Sequence, residues 1–165
     1  MEGGNSIQYK TNLLVITITF FVLVSIVIII SCGKSFKLPK ESDFSLDASV
    51  SNLNLKVGDE LKVTAIFKNN TSKDYECTST ASFSKSGLIH IYLFKIDEEE
   101  KVLTGSAPIV KLKAKQAIQE DTTFKLDKPG KYKVCVSSIF YITDPDKNDE
   151  YKYVIKADKI IINCK

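Results

Sequence analysis

The sequence predicts an all-β domain, an antiparallel sandwich, carried behind an N-terminal apolar segment. Three observations predict it. From Phe44 onward apolar residues recur at alternate positions in run after run, the period of a half-buried strand. Clusters of Gly, Pro, Asn, Asp and Ser punctuate these runs at short intervals. No stretch beyond residue 43 makes a convincing amphipathic helix, and no internal repeat is present.

Asn12 to Cys32 reads NLLVITITFFVLVSIVIIISC. Leu13 to Ile30 holds no charge, no Gly and no Pro, and its polar residues are Thr17, Thr19 and Ser25. Such a run has the length and composition of a membrane-crossing or export segment. It ends on Ile29-Ile30-Ser31-Cys32, an apolar, permissive, small and Cys tetrad followed by Gly33. This tetrad resembles the lipobox of bacterial lipoprotein signal peptides. The resemblance implies cleavage between Ser31 and Cys32 and a diacylglyceryl or acyl lipid on the Cys32 thiol. It also implies a domain outside the cytoplasm, lipid-anchored in the bacterial cell envelope. Two further topologies stay open. The run exceeds an ordinary signal core, and Lys34, Lys37 and Lys40 follow it, while Lys10 is the only basic side chain before it. An uncleaved single-span anchor, or a cytoplasmic C-terminal domain, fits those features.

The expected organisation is residues 1–31 as signal or anchor, 32–43 as a flexible tether, and 44–165 as the sandwich. Gly33 to Asp43, GKSFKLPKESD, is polar and Lys-rich, with Pro39 inside it. Phe44, Leu46, Ala48 and Val50 alternate, as do Leu53, Leu55 and Val57. Gly58-Asp59 is a turn. Leu61, Val63, Ala65 and Phe67 then face one way. Asn69 to Ser72 is a turn cluster that also holds two overlapping glycosylation sequons. Tyr75 to Phe83 is a weaker strand with Tyr75, Cys77, Ser79, Ala81 and Phe83 on one face. Leu88 to Ile96, apolar on both faces, reads as a central strand or one under a loop. Asp97 to Glu100 is an acidic turn and Lys101 to Thr104 a short strand. Ile109 to Gln119 fits either period. Thr122, Phe124 and Leu126 alternate again, Asp127 to Gly130 is a tight turn, and Tyr132 to Phe140 is the clearest strand. Asp144 to Glu150 is a polar loop, and Tyr151 to Cys164 a last strand with a bulge near Ala157-Asp158.

At LDKPGKYKV the turn followed by an inward Tyr132 resembles the tyrosine corner of immunoglobulin-like domains. VGDELKVTAIFKNNTSKDY is similar to the second strand of bacterial immunoglobulin-like modules. The fold class is therefore an antiparallel immunoglobulin-like β-sandwich. Residues 50–141 also resemble the intracellular proteinase inhibitor family, which implies a protease-inhibitory loop as a second function.

The charges are balanced, 23 Lys against 20 acidic residues, and Arg is absent. Without the planar Arg fork, and with Lys interspersed among acids, the chain does not read as a nucleic-acid binder. With Cys32 lipidated, Cys77, Cys135 and Cys164 remain. Proximity on the last two strands makes Cys135–Cys164 the expected disulfide if one forms, and three reduced thiols are the alternative. The single histidine, His90, has no histidine partner and reads as a structural, hydrogen-bonded residue. Ser82 to Lys85 matches S-x-x-K without the motifs that accompany it in enzymes. Asp144, Asp146 and Asn148 copy the opening of a calcium loop, but Gly at the sixth and Glu at the twelfth position are missing. The expected function is binding without catalysis. A protein or glycan partner would be met by the loops at residues 97–108 and 143–150. A structural role in an envelope complex is its membrane-spanning variant.

Overall fold

The computed structural model describes residues 36–81, 83–96 and 108–165. The lipobox, the apolar segment, the acidic turn and the Lys101–Thr104 strand lie outside the described residues. The chain divides into two units, Met1–Lys37 and Leu38–Lys165. The second unit is an all-β antiparallel sandwich.

Among the described residues, ten strands follow a 3-10 turn at Glu41–Asp43: β1 (Phe44–Val50), β2 (Asn54–Leu55), β3 (Glu60–Asn69), β4 (Tyr75–Ser79), β5 (His90–Lys95), β6 (Ile109–Leu112), β7 (Ala117–Lys125), β8 (Gly130–Asp144), β9 (Asp149–Lys156) and β10 (Ile160–Cys164). One sheet runs β1-β3-β7. The other runs β2-β10-β8-β4-β6, with β5 and β9 also on β8. Apart from the parallel β2–β10 contact, every pairing is antiparallel. The order is that of an immunoglobulin-like sandwich, with β1, β3 and β7 in the places of its strands A, B and E and β4, β8 and β9 in the places of C, F and G.

The second sheet is built on β8. Its 15 residues carry β10 against Gly130–Val134 and β9 against Ser137–Asp144. On its other side lie β5, against Tyr132–Ser137, and β4, against Phe140–Ile142. Strand alternation made β8 the clearest element because it is flanked on both sides and must bury every second residue. Val134, Val136, Ser138, Phe140 and Ile142 point inward. The expected bulge in the last strand is the break at residues 157–159 between β9 and β10, where the Ala157 N–H still reaches the Val136 carbonyl. The ambiguous 109–119 stretch is two strands, β6 and β7, joined by a turn with Lys115 at φ 59°.

Five rings join the sheets. Phe44 lies 5.7 Å from Phe67, 5.2 Å from Phe140, 5.7 Å from Tyr153 and 6.0 Å from Tyr75, mostly edge to face. Tyr153 also anchors the entering chain, since its hydroxyl donates to the Pro39 carbonyl at 2.9 Å. Glu41 accepts from the Val154 N–H, and the Asn70 N–H reaches the Asp43 carbonyl. The folded unit thus begins at Leu38, and Leu38–Asp43 is docked chain where a flexible tether was expected. Pro39 restricts the backbone, and the Tyr153 hydroxyl supplies a partner that composition alone did not announce.

Candidate functional site

The expected tyrosine corner is formed. The Tyr132 hydroxyl donates to the Lys128 carbonyl at 2.7 Å across the turn from β7 to β8.

The expected Cys135–Cys164 bridge is not formed. Cys164 pairs with Gly130, and Ile160 with Val134, so Cys135 lies about five residues, roughly 17 Å, further along β8. Cys135 also alternates with inward Val134 and Val136, whereas Cys164 is inward and buried. No disulfide spans such a gap. Cys77 and Cys164 are reduced and buried. Burial pushes the Cys77 thiol up to about 12, and its Sγ donates to the Val110 carbonyl at 3.3 Å.

Asp144, Asp146 and Asn148 form a hairpin tip. Oδ1 of the buried Asp144 accepts the Asp146 N–H at 2.9 Å, and the Asn148 N–H reaches the Asp144 carbonyl at 2.7 Å. Asn148 takes φ 60°, the left-handed position that closes a four-residue hairpin loop. The spacing that copied a calcium loop is turn chemistry here. Among the described residues no group of three His, Cys, Asp or Glu side chains could hold a metal ion.

The sequon residue Asn69 is buried. Its Oδ1 accepts from the Thr71 N–H and hydroxyl, and its Nδ2 donates to the Lys73 and Lys113 carbonyls, each at 2.9 Å. All of its amide capacity goes into holding two turns together.

The described residues form a cleft at the edge of the sandwich where β5 and β7 face each other. Its volume is about 180 Å³, and Phe83, Ser84, His90, Tyr92, Glu120 and Thr122 line most of it. The connection between β4 and β5 straps across this edge. Two tight turns shape the strap, with the Ser84 N–H on Ala81 and the Gly87 N–H on Ser84. Gly87 takes φ 67°, and a Cβ there would press on Pro108 and Val110 at 3.4 Å. Glu120, an inward residue of β7 only 7% exposed, holds the strap. Its carboxylate accepts from the Lys85 N–H at 3.1 Å, the Ser86 N–H at 3.3 Å and the Ser86 hydroxyl. Ser86 Oγ in turn accepts from the Leu88 and Ile89 N–H groups.

His90 lies beside it. Thr80 Oγ1 donates to the Ile139 carbonyl, so it accepts the His90 Nε2–H at 2.9 Å. Nδ1 then accepts the Tyr92 hydroxyl, also at 2.9 Å. Burial lowers the His90 pKa from 6.5, and the Glu120 charge opposes that shift. His90, Tyr92 and Phe94 stack along β5, with centroids 5.6 and 5.8 Å apart and ring planes within 30°. His90 is thus the structural, hydrogen-bonded residue its apolar context suggested. With both nitrogens engaged, it offers no free base. Of the S-x-x-K match, Ser82 lies outside the described residues and Lys85 is exposed.

Phe83 reverses an expectation. The period-two reading placed it inward with Ala81, yet β4 ends at Ser79 and Phe83 stands 78% exposed on the strap. Glu120 escaped the sequence reading because alternation was traced only from Thr122. Extended back, it puts Ile118, Glu120 and Thr122 on the face of Phe124, which makes Glu120 a charge at an inward position of an edge strand. Of the two loops expected to carry recognition, 143–150 is the closed hairpin tip and most of 97–108 lies outside the described residues.

No family model matches the chain, and no curated protein does. Solved structures resemble it at low identity. The crystallised CARDB domain of a Pyrococcus furiosus protein, in complex with di-metal ions, is 11% identical with a TM-score of 0.41, covering 75% of this chain and 97% of that one. The solution structure of the same domain is 10% identical at TM-score 0.38, covering 70% and 94%. Spo0M, a sporulation control protein of Bacillus subtilis, is 18% identical at TM-score 0.36, covering 74% and 49%. No functional residue is carried over from these likenesses. Among the described residues no helix is long and apolar enough to cross a membrane.

Proposed function

We propose that this chain is a lipoprotein of the bacterial cell envelope, cleaved between Ser31 and Cys32 and lipidated at Cys32, whose sandwich binds a partner without catalysis. The observation that carries the binding half is the strapped cleft. A large aromatic side chain, Phe83, stands exposed on a loop pinned by Glu120 and Ser86, at the mouth of a concave cleft. Exposed apolar side chains on a pinned loop cost solvation and serve contact. Catalysis finds little support in the same place, because His90 and Glu120 spend their hydrogen bonds on Thr80, Tyr92 and the strap. The partner class we favour is a protein. The rings of His90, Tyr92 and Phe94 stack on one another, which engages ring faces that a glycan platform needs open. A second reading, protease inhibition, draws on the same Phe83 and would appear as tight binding in a protease panel.

Mass spectrometry of the membrane-extracted chain, with Cys32→Ala beside it, tests the anchor. The expected result is a mature N-terminus at Cys32 carrying acyl mass that the variant lacks. An intact N-terminus with unmodified Cys32 would make residues 1–31 a retained anchor. Co-purification in mild detergent tests the binding. A partner held by the wild type and lost in Phe83→Ala, at unchanged thermal midpoint, is expected; identical partners in both would contradict it.

A further inference from the structure

We infer that the cleft between β5 and β7 receives an alkylammonium group, presented by a lysine side chain of a partner or by a free amine. The inference rests on the binding reading above and names its ligand chemistry.

Glu120 supplies the charge. It is buried, lines the cleft, and takes every described hydrogen bond from a neutral donor: two backbone N–H groups and one hydroxyl. Buried carboxylates are ordinarily paired with a cation or fully hydrogen-bonded. Among the described residues the ion pairs are Lys62–Asp121, Lys68–Asp47, Lys111–Glu76 and Lys113–Asp74, none of which involves Glu120. Oε1 receives the Lys85 N–H alone, which leaves it room for a second donor.

The neighbours suit a cation. His90 is engaged through both nitrogens in its neutral form, so it neither neutralises Glu120 nor repels a positive group. Phe83 brings an exposed aromatic ring to the mouth, where a cation gains from the ring quadrupole. Thr122 and Ser84 add hydroxyl acceptors. The cleft volume, about 180 Å³, admits a slender aliphatic stem and falls short of the roughly 300 Å³ at which drug-sized pockets begin. An anion would meet the Glu120 charge, and a neutral apolar ligand would leave that charge desolvated without a partner.

Saturation-transfer difference NMR on the full-length chain in mild detergent tests the inference. Three probes suffice: N-acetyl-lysine methylamide, cadaverine, and uncharged N-acetyl-norleucine methylamide. Both amines should give saturable signals, and the norleucine compound should bind at least about tenfold more weakly, or 1.4 kcal/mol. Tighter binding of the lysine compound than of cadaverine points to a partner's side chain, and the reverse to a free amine. Glu120→Gln should lose about tenfold in amine affinity. Because that variant can also loosen the strap, Phe83→Ala provides a second test: about threefold weaker amine binding at unchanged thermal midpoint, the scale of one exposed cation–π contact. Equal binding of the norleucine compound, undiminished amine binding by Glu120→Gln, or no saturable amine signal would overturn the inference. A Phe83-dependent partner alongside any of these outcomes would leave the binding reading standing.

Discussion

At the scale of single residues, polar groups at inward positions distinguish this sandwich from a purely apolar one. Asn69, Glu120 and Ser138 are all buried. Asn69 is explained by the turns it holds, and Glu120 holds the strap while keeping its charge for the cleft. Ser138 is different: its hydroxyl faces the core from the middle of β8 and has no partner among the described residues. Burying a hydroxyl without a partner costs about 1–3 kcal/mol in protein mutational series. Ser138→Ala is therefore expected to unfold at equal or higher denaturant, with a gain of up to about 1 kcal/mol. A loss of that size in equilibrium urea unfolding would show that the hydroxyl is used. Such residues were hard to read in the sequence. Ser138 sits correctly in the alternation of β8, but period two reports the face and not the partner. Glu120 carried a legible signal, a charge in register with Ile118 and Phe124, that becomes visible only when the strand is extended back through an ambiguous stretch.

At the scale of elements, alternation combined with turn chemistry was sufficient for β1, β3 and β8. There the inward residues are continuous and the flanking turns are rich in Gly, Asn and Pro. Alternation failed at the end of β4, because a strand can stop while its pattern continues by chance, which left Phe83 outside. It was less decisive at β5. Leu88 to Ile96 is apolar on both faces, and the sequence left a central strand or one under a loop open. In the fold, Leu88 and Ile89 are fully buried in the strap, while buried His90 and half-buried Tyr92 and Phe94 stack on each other beside β8. The corner between β7 and β8 was fully legible, since LDKPGKYKV contains both the turn and its tyrosine. The hydrogen bond from Tyr132 on β8 to Lys128 closes the connection between strands of different sheets, so its loss should be felt by the whole fold. Tyr132→Phe is expected to cost about 1 kcal/mol, read as a lower denaturation midpoint at unchanged m-value. An unchanged midpoint would mean that the corner adds nothing to stability.

At the scale of the molecule, five rings bind the two sheets, and the entering chain is tied to one of them through Pro39 and Tyr153. That docking explains why the domain boundary read from composition fell late. A Lys-rich, Pro-containing stretch looks like a linker until a hydroxyl on a distant strand captures its carbonyl. The disulfide expectation failed for a related reason. Neighbouring strands were the right inference for β8 and β10, but register and face decide whether two thiols meet, and neither is encoded near the cysteines themselves. The surface we propose for a partner is the strapped edge, where an exposed Phe83 and a buried Glu120 share one cleft. Site-specific photocrosslinking in producing cells tests that claim most directly, with p-benzoylphenylalanine placed at Phe83 in one strain and at Ile109, 68% exposed on β6, in another. The account predicts a discrete, light-dependent adduct from position 83 and none from position 109. No adduct at 83, or the same adduct from both positions, would contradict it.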